Sequence, residues 1–261
     1  MAPARVFDTR PGTTSIRDRN PAKVPAGSTL AVQFTDLPGR VPAGDVAAVV
    51  INLTVVAPER SGFVTAFACG TRPGTSSINF VAGQTVANSV ITPVDAATGR
   101  VCFYASATTY LLADIGGWFE VNHAFVPTAP TRWFDTRVAT KVARESVLRV
   151  NVADLAALGV TSPVSSPVSS PLSSPGSSPV SALSLNVTIT EPDGRGFVTV
   201  FACGARPLAS NLNYSARQTV ANAVIAPVDR STGSVCFYSS ASTHFVVDIN
   251  GWFLTPYDAR P

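Results

Sequence analysis

"VCFYASATTYLLADIGGWF" (101–119) returns 134 residues later as "VCFYSSASTHFVVDINGWF" (235–253). The likeness extends upstream. "FVTAFACGTRP" (63–73) returns as "FVTVFACGARP" (197–207), and "GQTVANSVITPVD" (83–95) as "RQTVANAVIAPVD" (217–229). From Cys69 to Phe119, 31 of 51 positions are identical at this constant offset. A repeat of this length means two copies of one folding unit, and every other segment has to be placed relative to it.

Nearer the start of each copy the offset changes. "VFDTR" (6–10) matches "WFDTR" (133–137) at an offset of 127, and "STLAVQFTDL" (28–37) matches "SVLRVNVADL" (146–155) at 118. The second copy has therefore lost nine residues after its FDTR and gained 16 before "LNVT" (185–188). The gain coincides with "SPVSSPVSSPLSSPGSSPVS" (162–181), one four-residue unit written five times. Taken alone, such a tract reads as a linker between domains. Its place inside copy two makes it an expanded surface loop between two strands of one domain. Lengthening such a loop costs only about 0.6 kcal/mol per doubling. Its composition predicts an exposed, polyproline-like excursion. It is either neutral slippage or a glycosylated or partner-facing arm. The expected organisation is a first repeat over 1–122, a short linker over 123–131, a second repeat over 132–256, and a tail, 257–261. The tail, "YDARP", resembles the start of a further repeat.

Period-two alternation predicts strands. Leu30, Val32 and Phe34 alternate with Ala31 and Gln33; Ile51, Leu53 and Val55 alternate with Asn52 and Thr54. Turn chemistry separates the runs, with Asp95 or Asp229 opening a tight hairpin and Gly99 or Gly233 closing it. Only Val152 to Leu158 admits a helical reading. Seven or eight strands in about 120 residues predict an all-β fold. The expectation is two tandem antiparallel β-sandwich or barrel-like domains from an internal duplication. The absence of a threefold period inside a unit argues against a β-trefoil.

Cys69 and Cys102 lie 33 residues apart, as do Cys203 and Cys236. Of the three possible pairings, only 69–102 with 203–236 both treats the copies alike and lets each fold alone. Each bridge closes a loop of about 34 residues, worth about 3.5–4 kcal/mol on the chain-entropy account. Zinc is the rival, but one pair of cysteines per copy supplies only two ligands. Disulfides place the chain in an oxidising, extracellular setting.

Charged residues are 13% of the chain, against a usual quarter, and the net charge is +3. The 19 lysines and arginines form no basic stripe, so nucleic acid is not an expected partner. The longest apolar run, Val46 to Ala57, is too short and too polar to cross a membrane. Met1 is the only methionine, and the opening residues lack the apolar stretch of a secretory signal. A mature segment of a longer gene product is the expectation.

The chain carries no HExxH, no phosphate-binding glycine loop and no EF-hand-like series. Its two histidines are not equivalent: His123 falls in the linker and His244 aligns with Tyr110. A repeated catalytic triad is therefore ruled out, and no cofactor or metal is expected.

Several polar residues do appear in both copies. Asn52, Asn79, Gln84 and Asn88 match Asn186, Asn213, Gln218 and Asn222. They form either a buried network that fixes strand register or an amide-lined groove for a sugar. In the second case Tyr104 and Tyr238, or Trp118 and Trp252, serve as stacking platforms. Asn52-Leu-Thr and Asn186-Val-Thr are also glycosylation sequons, placed in mid-strand where modification is disfavoured. In an extended FDTR, Asp8 and Arg10 share one face and Phe7 and Thr9 the other. Phe7 and Phe134 then anchor the start of each domain. Arg10 and Arg137 pair with Asp8 and Asp135, or with Asp114 and Asp248 of the "DIGGWF" and "DINGWF" strands.

"FDTR", "LNVT", "GFVTVFACG" (196–204), "NLNY" (211–214), "GQTVAN" (83–88) and the GWF ending together resemble a module that recurs in secreted and cell-surface proteins of actinobacteria. The likeness covers nearly the whole chain twice. It implies an extracellular, non-catalytic module and supplies no active-site residue. The leading expectation is an extracellular structural or adhesive protein that works through contacts with other copies or cell-surface components, including self-assembly. A carbohydrate-binding pair of modules is the first alternative, with glycans as partners. A secreted hydrolase with a single inter-domain site is the second.

Deleting Ser166–Ser181 leaves Pro163-Val164-Ser165 before Ala182, where Pro179-Val180-Ser181 now stand. Calorimetry of this deletion is expected to show an unchanged melting temperature; loss of the folded state would refute the loop assignment.

Overall fold

The computed structural model describes residues 3–17, 21–121, 125–153, 155 and 180–254. They form two compact units. One is built on residues up to 121 together with 127–130 and 219–223; the other comprises the remaining described residues. Among the described residues there is no α-helix. The Ser/Pro tract from 162 to 179, the linker residue His123 and the tail 257–261 lie outside the described residues, as does most of Val152 to Leu158.

The first unit has eight strands: β1 (Ala4–Asp8), β2 (Ser28–Gln33), β3 (Val46–Val56), β4 (Gly62–Ala68), β5 (Ile78–Phe80), β6 (Val86–Pro93), β7 (Arg100–Ala105) and β8 (Tyr110–Glu120). They make two four-stranded sheets, ordered β1-β8-β3-β6 and β2-β7-β4-β5. This is the strand order of a jelly roll, in which the first strand pairs with the last. The second unit repeats it with β9 (Phe125–Asp135), β10 (Ser146–Asn151), β11 (Val180–Thr190), β12 (Gly196–Ala202), β13 (Leu212–Tyr214), β14 (Val220–Pro227), β15 (Ser234–Ser239) and β16 (His244–Leu254). Its sheets are β14-β11-β16-β9 and β10-β15-β12-β13. The strands on either side of the Ser/Pro tract, β10 and β11, both belong to this second unit.

The alternation in sequence becomes an inside and an outside. In β3, Ile51, Leu53 and Val55 are buried in the first core beside Val64, Phe103, Leu111 and Ile115. In the second unit Leu185, Val187 and Ile189 occupy the same places with Val198, Phe237, Phe245 and Val247. Phe7 packs on Phe103 with ring centroids 5.1 Å apart, and Phe134 packs on Phe237 at 5.2 Å. Burying side chains of this size stabilises by about 1.5–3 kcal/mol each.

The expected short linker at 123–131 is instead strand from Phe125 onward, continuous with Asp135. Pro127 and Pro130 obscured it in the sequence. Proline lacks an N–H and is tolerated only where no ladder bond is needed, and β9 is an edge strand of its sheet.

The GWF segments differ in one respect. Gly251 has φ +154°, and a Cβ there would lie 2.5 Å from Phe125 Cζ and from the Val126 carbonyl. At the matching Gly117 the nearest atom would be a Val50 methyl at 3.8 Å. Gly251→Ala is therefore expected to lower stability by about 1–3 kcal/mol, while Gly117→Ala stays within about 1 kcal/mol. Denaturant unfolding of the two variants decides it, and equal losses would contradict the packing described.

Candidate functional site

The repeated amides do not converge on a groove. Gln84 Oε1 accepts the Val81 N–H at 3.0 Å, and Gln218 Oε1 accepts the Ser215 N–H at 2.8 Å, each closing a turn. Asn79 donates to Ser76 Oγ at 3.1 Å and Asn213 to Ser210 Oγ at 3.2 Å, again within a few residues. Asn88 is buried and donates to the Ser77 carbonyl at 2.8 Å, while Asn222 is half-buried. Asn52 and Asn186 stand opposite Asp114 and Asp248 across the ladder. Their environments differ: Asn52 is exposed and Asn186 only 4% exposed. A single sugar-binding row of amides is therefore not formed; the two glutamines brace their own turns, and Asn79 and Asn213 bond nearby serine hydroxyls.

The FDTR residues form a compact knot. In the first unit the Thr9 hydroxyl accepts the Leu111 N–H at 2.9 Å, and Phe7 is fully buried. The fully buried Asp8 carboxylate takes the Arg10 N–H at 3.0 Å and the Arg10 guanidinium at 2.7 Å. The residue that reaches Asp114 is Arg5, which also holds Asp8 at 2.6 Å. In the second unit Arg137 clamps Asp135 at 2.6 Å, and Arg132 joins Asp135, at 2.8 Å, to Asp248. Arg5 and Arg132 were not singled out from the sequence. Their signal is that both stand two positions before FD, Arg5-Val-Phe-Asp and Arg132-Trp-Phe-Asp.

These contacts set the carboxyl chemistry. The bonds from Arg137 hold Asp135 down at about 2, against the opposing effect of burial. For Asp8, burial pushes the carboxyl up, and the bonds and charges of Arg10 and Arg5 outweigh it to leave it below the ordinary range. Both stay ionised near neutrality and are occupied by their arginines. His244 Nδ1 lies 3.2 Å from Thr136 Oγ1. Among the described residues no group of three or more His, Cys, Asp or Glu is placed to hold a metal ion.

The feature repeated on the surface is a stack of an arginine on a tyrosine. Both disulfides are formed, Cys69–Cys102 and Cys203–Cys236. Each ties the residue just beyond β4 or β12 to the neighbouring strand β7 or β15. The chain leaving the bridge is then bonded back onto its own strand. The Thr65 hydroxyl donates to the Thr75 carbonyl, and Ser77 Oγ accepts the Ala66 N–H at 2.9 Å. In the second unit Thr199 donates to Ala209, and Asn211 accepts the Val200 N–H at 2.7 Å. This lays Arg72 over the Tyr104 ring at 4.3 Å and Arg206 over Tyr238 at 4.1 Å. Phe63 and Phe197 flank the tyrosines at 5.9 and 5.8 Å. Cation–π pairs at exposed sites are worth about 0.5–1 kcal/mol, so the stack orders the surface rather than holding the fold.

Burial corrects one of the two tryptophan platforms. Trp252 is only 4% exposed and is a packing residue. Trp118 packs against the first core and is half-buried. Tyr104 and Tyr238 remain partly accessible. Next to Phe197 and Tyr238, an open groove of about 600 Å³ is bordered by Arg144, Glu145 and Arg195.

No family model matches the chain, and no curated protein matches it. Among solved structures, similarity is found to the N-terminal CBM22-1–CBM22-2 tandem domain of Paenibacillus barcinonensis Xyn10C, at 14% identity over 89% of this chain and 85% of that one, with a TM-score of 0.22. Procruciferin, an 11S globulin of Brassica napus, is similar at 10% identity over 85% and 76%, with a TM-score of 0.19. Superposition this poor carries no argument about ligand or activity.

The lowered pKa of Asp135 has a definite consequence for stability. Its unfolded value is near 3.9, so its contribution is complete above that pH and is lost as pH falls through about 2. Urea unfolding is expected to show a loss of about 2 kcal/mol from this group between pH 5 and pH 2. Asp135→Asn should flatten that part of the curve; an unchanged slope would show that the clamp does not set the acidity.

Proposed function

We propose that the chain is an extracellular, non-catalytic module pair that works through surface contact with other copies of itself or with cell-surface components. The observation that carries this reading is the repeated Arg–Tyr–Phe cluster, Arg72–Tyr104–Phe63 and Arg206–Tyr238–Phe197. Tyrosine and arginine are the residues that dominate protein contact surfaces. Here both copies hold them at the same place on the disulfide-bearing sheet. The low charge content leaves little repulsion to oppose contact. The carboxylates of the FDTR knots are engaged by arginine, which favours a structural role for them over acid–base chemistry. Two disulfides are compatible with an extracellular protein, and among the described residues no helix is long and apolar enough to cross a membrane. Carbohydrate binding is the second reading, favoured by the same partly exposed aromatic rings.

Sedimentation velocity across a concentration series, with a pull-down on insoluble bacterial cell walls, tests the contact reading. The chain is expected to self-associate or to be retained. Combined Tyr104→Ala and Tyr238→Ala should weaken this roughly tenfold or more without changing the melting temperature. A chain that is monomeric throughout and ignores cell walls would overturn the proposal.

A further inference from the structure

The groove beside Tyr238 is where the two copies differ in chemistry on a shared scaffold. Its aromatic residues have counterparts in the first unit: Phe197 and Tyr238 correspond to Phe63 and Tyr104. Its charged residues do not. Arg144, Glu145 and Arg195 stand where the first unit has Ala26, Gly27 and Ser61. The backbone is nonetheless the same. Ser28 Oγ donates to the Pro25 carbonyl at 2.7 Å in one copy, and Ser146 Oγ to the Ala143 carbonyl at 2.6 Å in the other. Gly27 and Glu145 both sit in the left-handed region, with φ +76° and +54°. Glycine adopts that conformation freely, whereas an L side chain there is strained. The second copy thus holds a charged side chain against a local backbone penalty, at the rim of a groove. Strain retained at a cleft points to use of the cleft.

At the groove the replacements add two cations, Arg144 and Arg195, and one anion, Glu145, while the first unit's Arg60 gives way to Gly194. Arg144 lies 3.3 Å from Glu145, with side chains 75% and 64% exposed. A pair so exposed contributes little, and Arg144 remains available to a ligand. Arg195 is exposed as well. The guanidinium fork matches a carboxylate. Phe197 and Tyr238 offer apolar surface, and the volume of about 600 Å³ falls within the range of small-molecule sites. A ring with an apolar face, hydroxyls and one carboxylate meets all three features.

We propose that the second unit alone carries a binding site for an acidic sugar, a uronic-acid residue of a glycan, whose carboxylate is held by Arg144 and Arg195 and whose ring packs on Phe197 and Tyr238. The site rests on the reading of the chain as a binding module and deepens it. It does not depend on self-association.

Titration calorimetry of the full chain with trigalacturonic acid tests it, with a neutral galactose trimer and triglutamate as comparison ligands. One site per chain is expected for trigalacturonic acid, with the neutral trimer and triglutamate at least tenfold weaker. Arg144→Ala with Arg195→Ser restores the residues that the first unit already tolerates, and should cost at least tenfold. Ala26→Arg with Ser61→Arg should raise the stoichiometry from one toward two. Absence of binding at millimolar ligand, equal binding of the neutral trimer or of triglutamate, or indifference to Arg144→Ala with Arg195→Ser would each overturn the proposal. The same variant leaves Tyr104 and Tyr238 in place. If it still self-associates or binds cell walls as the parent does, while the parent binds no acidic trimer, this site falls and the contact reading stands.

Discussion

Each unit depends on fastening its first strand to its last. β1 is a five-residue edge strand that pairs only with β8, and a short terminal strand with one partner tends to fray. Three side chains hold it. Phe7 fills the core against Phe103, Thr9 accepts a backbone N–H of β8, and Arg5 spans from Asp8 to Asp114. The carboxylate of Asp8 is fully buried, so removing its arginines would leave an uncompensated charge, a loss of up to about 3–5 kcal/mol. The second unit closes in the same way through Arg132, Asp135 and Asp248, on a longer strand.

With the closing strands fixed, the opposite sheet is free to carry contacts on its outer face. The disulfide there does more than shorten a loop. It fixes where the chain leaves β4 or β12, and hydrogen bonds to Thr65 and Ala66, or to Thr199 and Val200, set the path that follows. Arg72 and Arg206 reach their tyrosines because of that path. The scaffold is common to both copies, and the groove chemistry beside Tyr238 belongs to one. Duplication relieves one copy of a constraint that the other continues to meet, and the exchange of Gly27 for Glu145 is such a departure.

Much of the fold was legible because burial leaves a period-two trace in strands with one face inward. Ile51-Asn52-Leu53-Thr54-Val55 shows it in the first copy; Leu185 to Ile189 carries the same alternation in sequence, although Asn186 and Thr188 are buried there as well. Strand β9 escaped because Pro127 and Pro130 are turn signals in isolation, and only its position at a sheet edge makes them acceptable. The partner of Asp114 escaped for a different reason. A bulge between Arg5 and Phe7 shifts the register, so a simple alternation does not put Arg5 opposite Asp114. The amides misled because a repeated polar residue looks the same in sequence whether it closes a turn, as Gln84 does, or would face a ligand.

By itself the sequence determined that the chain is a duplication, that both copies are all-β and that each has its own pair of cysteines. These follow from short-range pattern and from symmetry between copies. Only the tertiary structure decided which arginine meets which aspartate, that Trp252 is buried while Tyr238 stays partly open, and that Arg144, Glu145 and Arg195 border one groove. Those facts depend on register and on which residues distant in sequence meet at one end of a sheet. Alternation along a strand does not encode either.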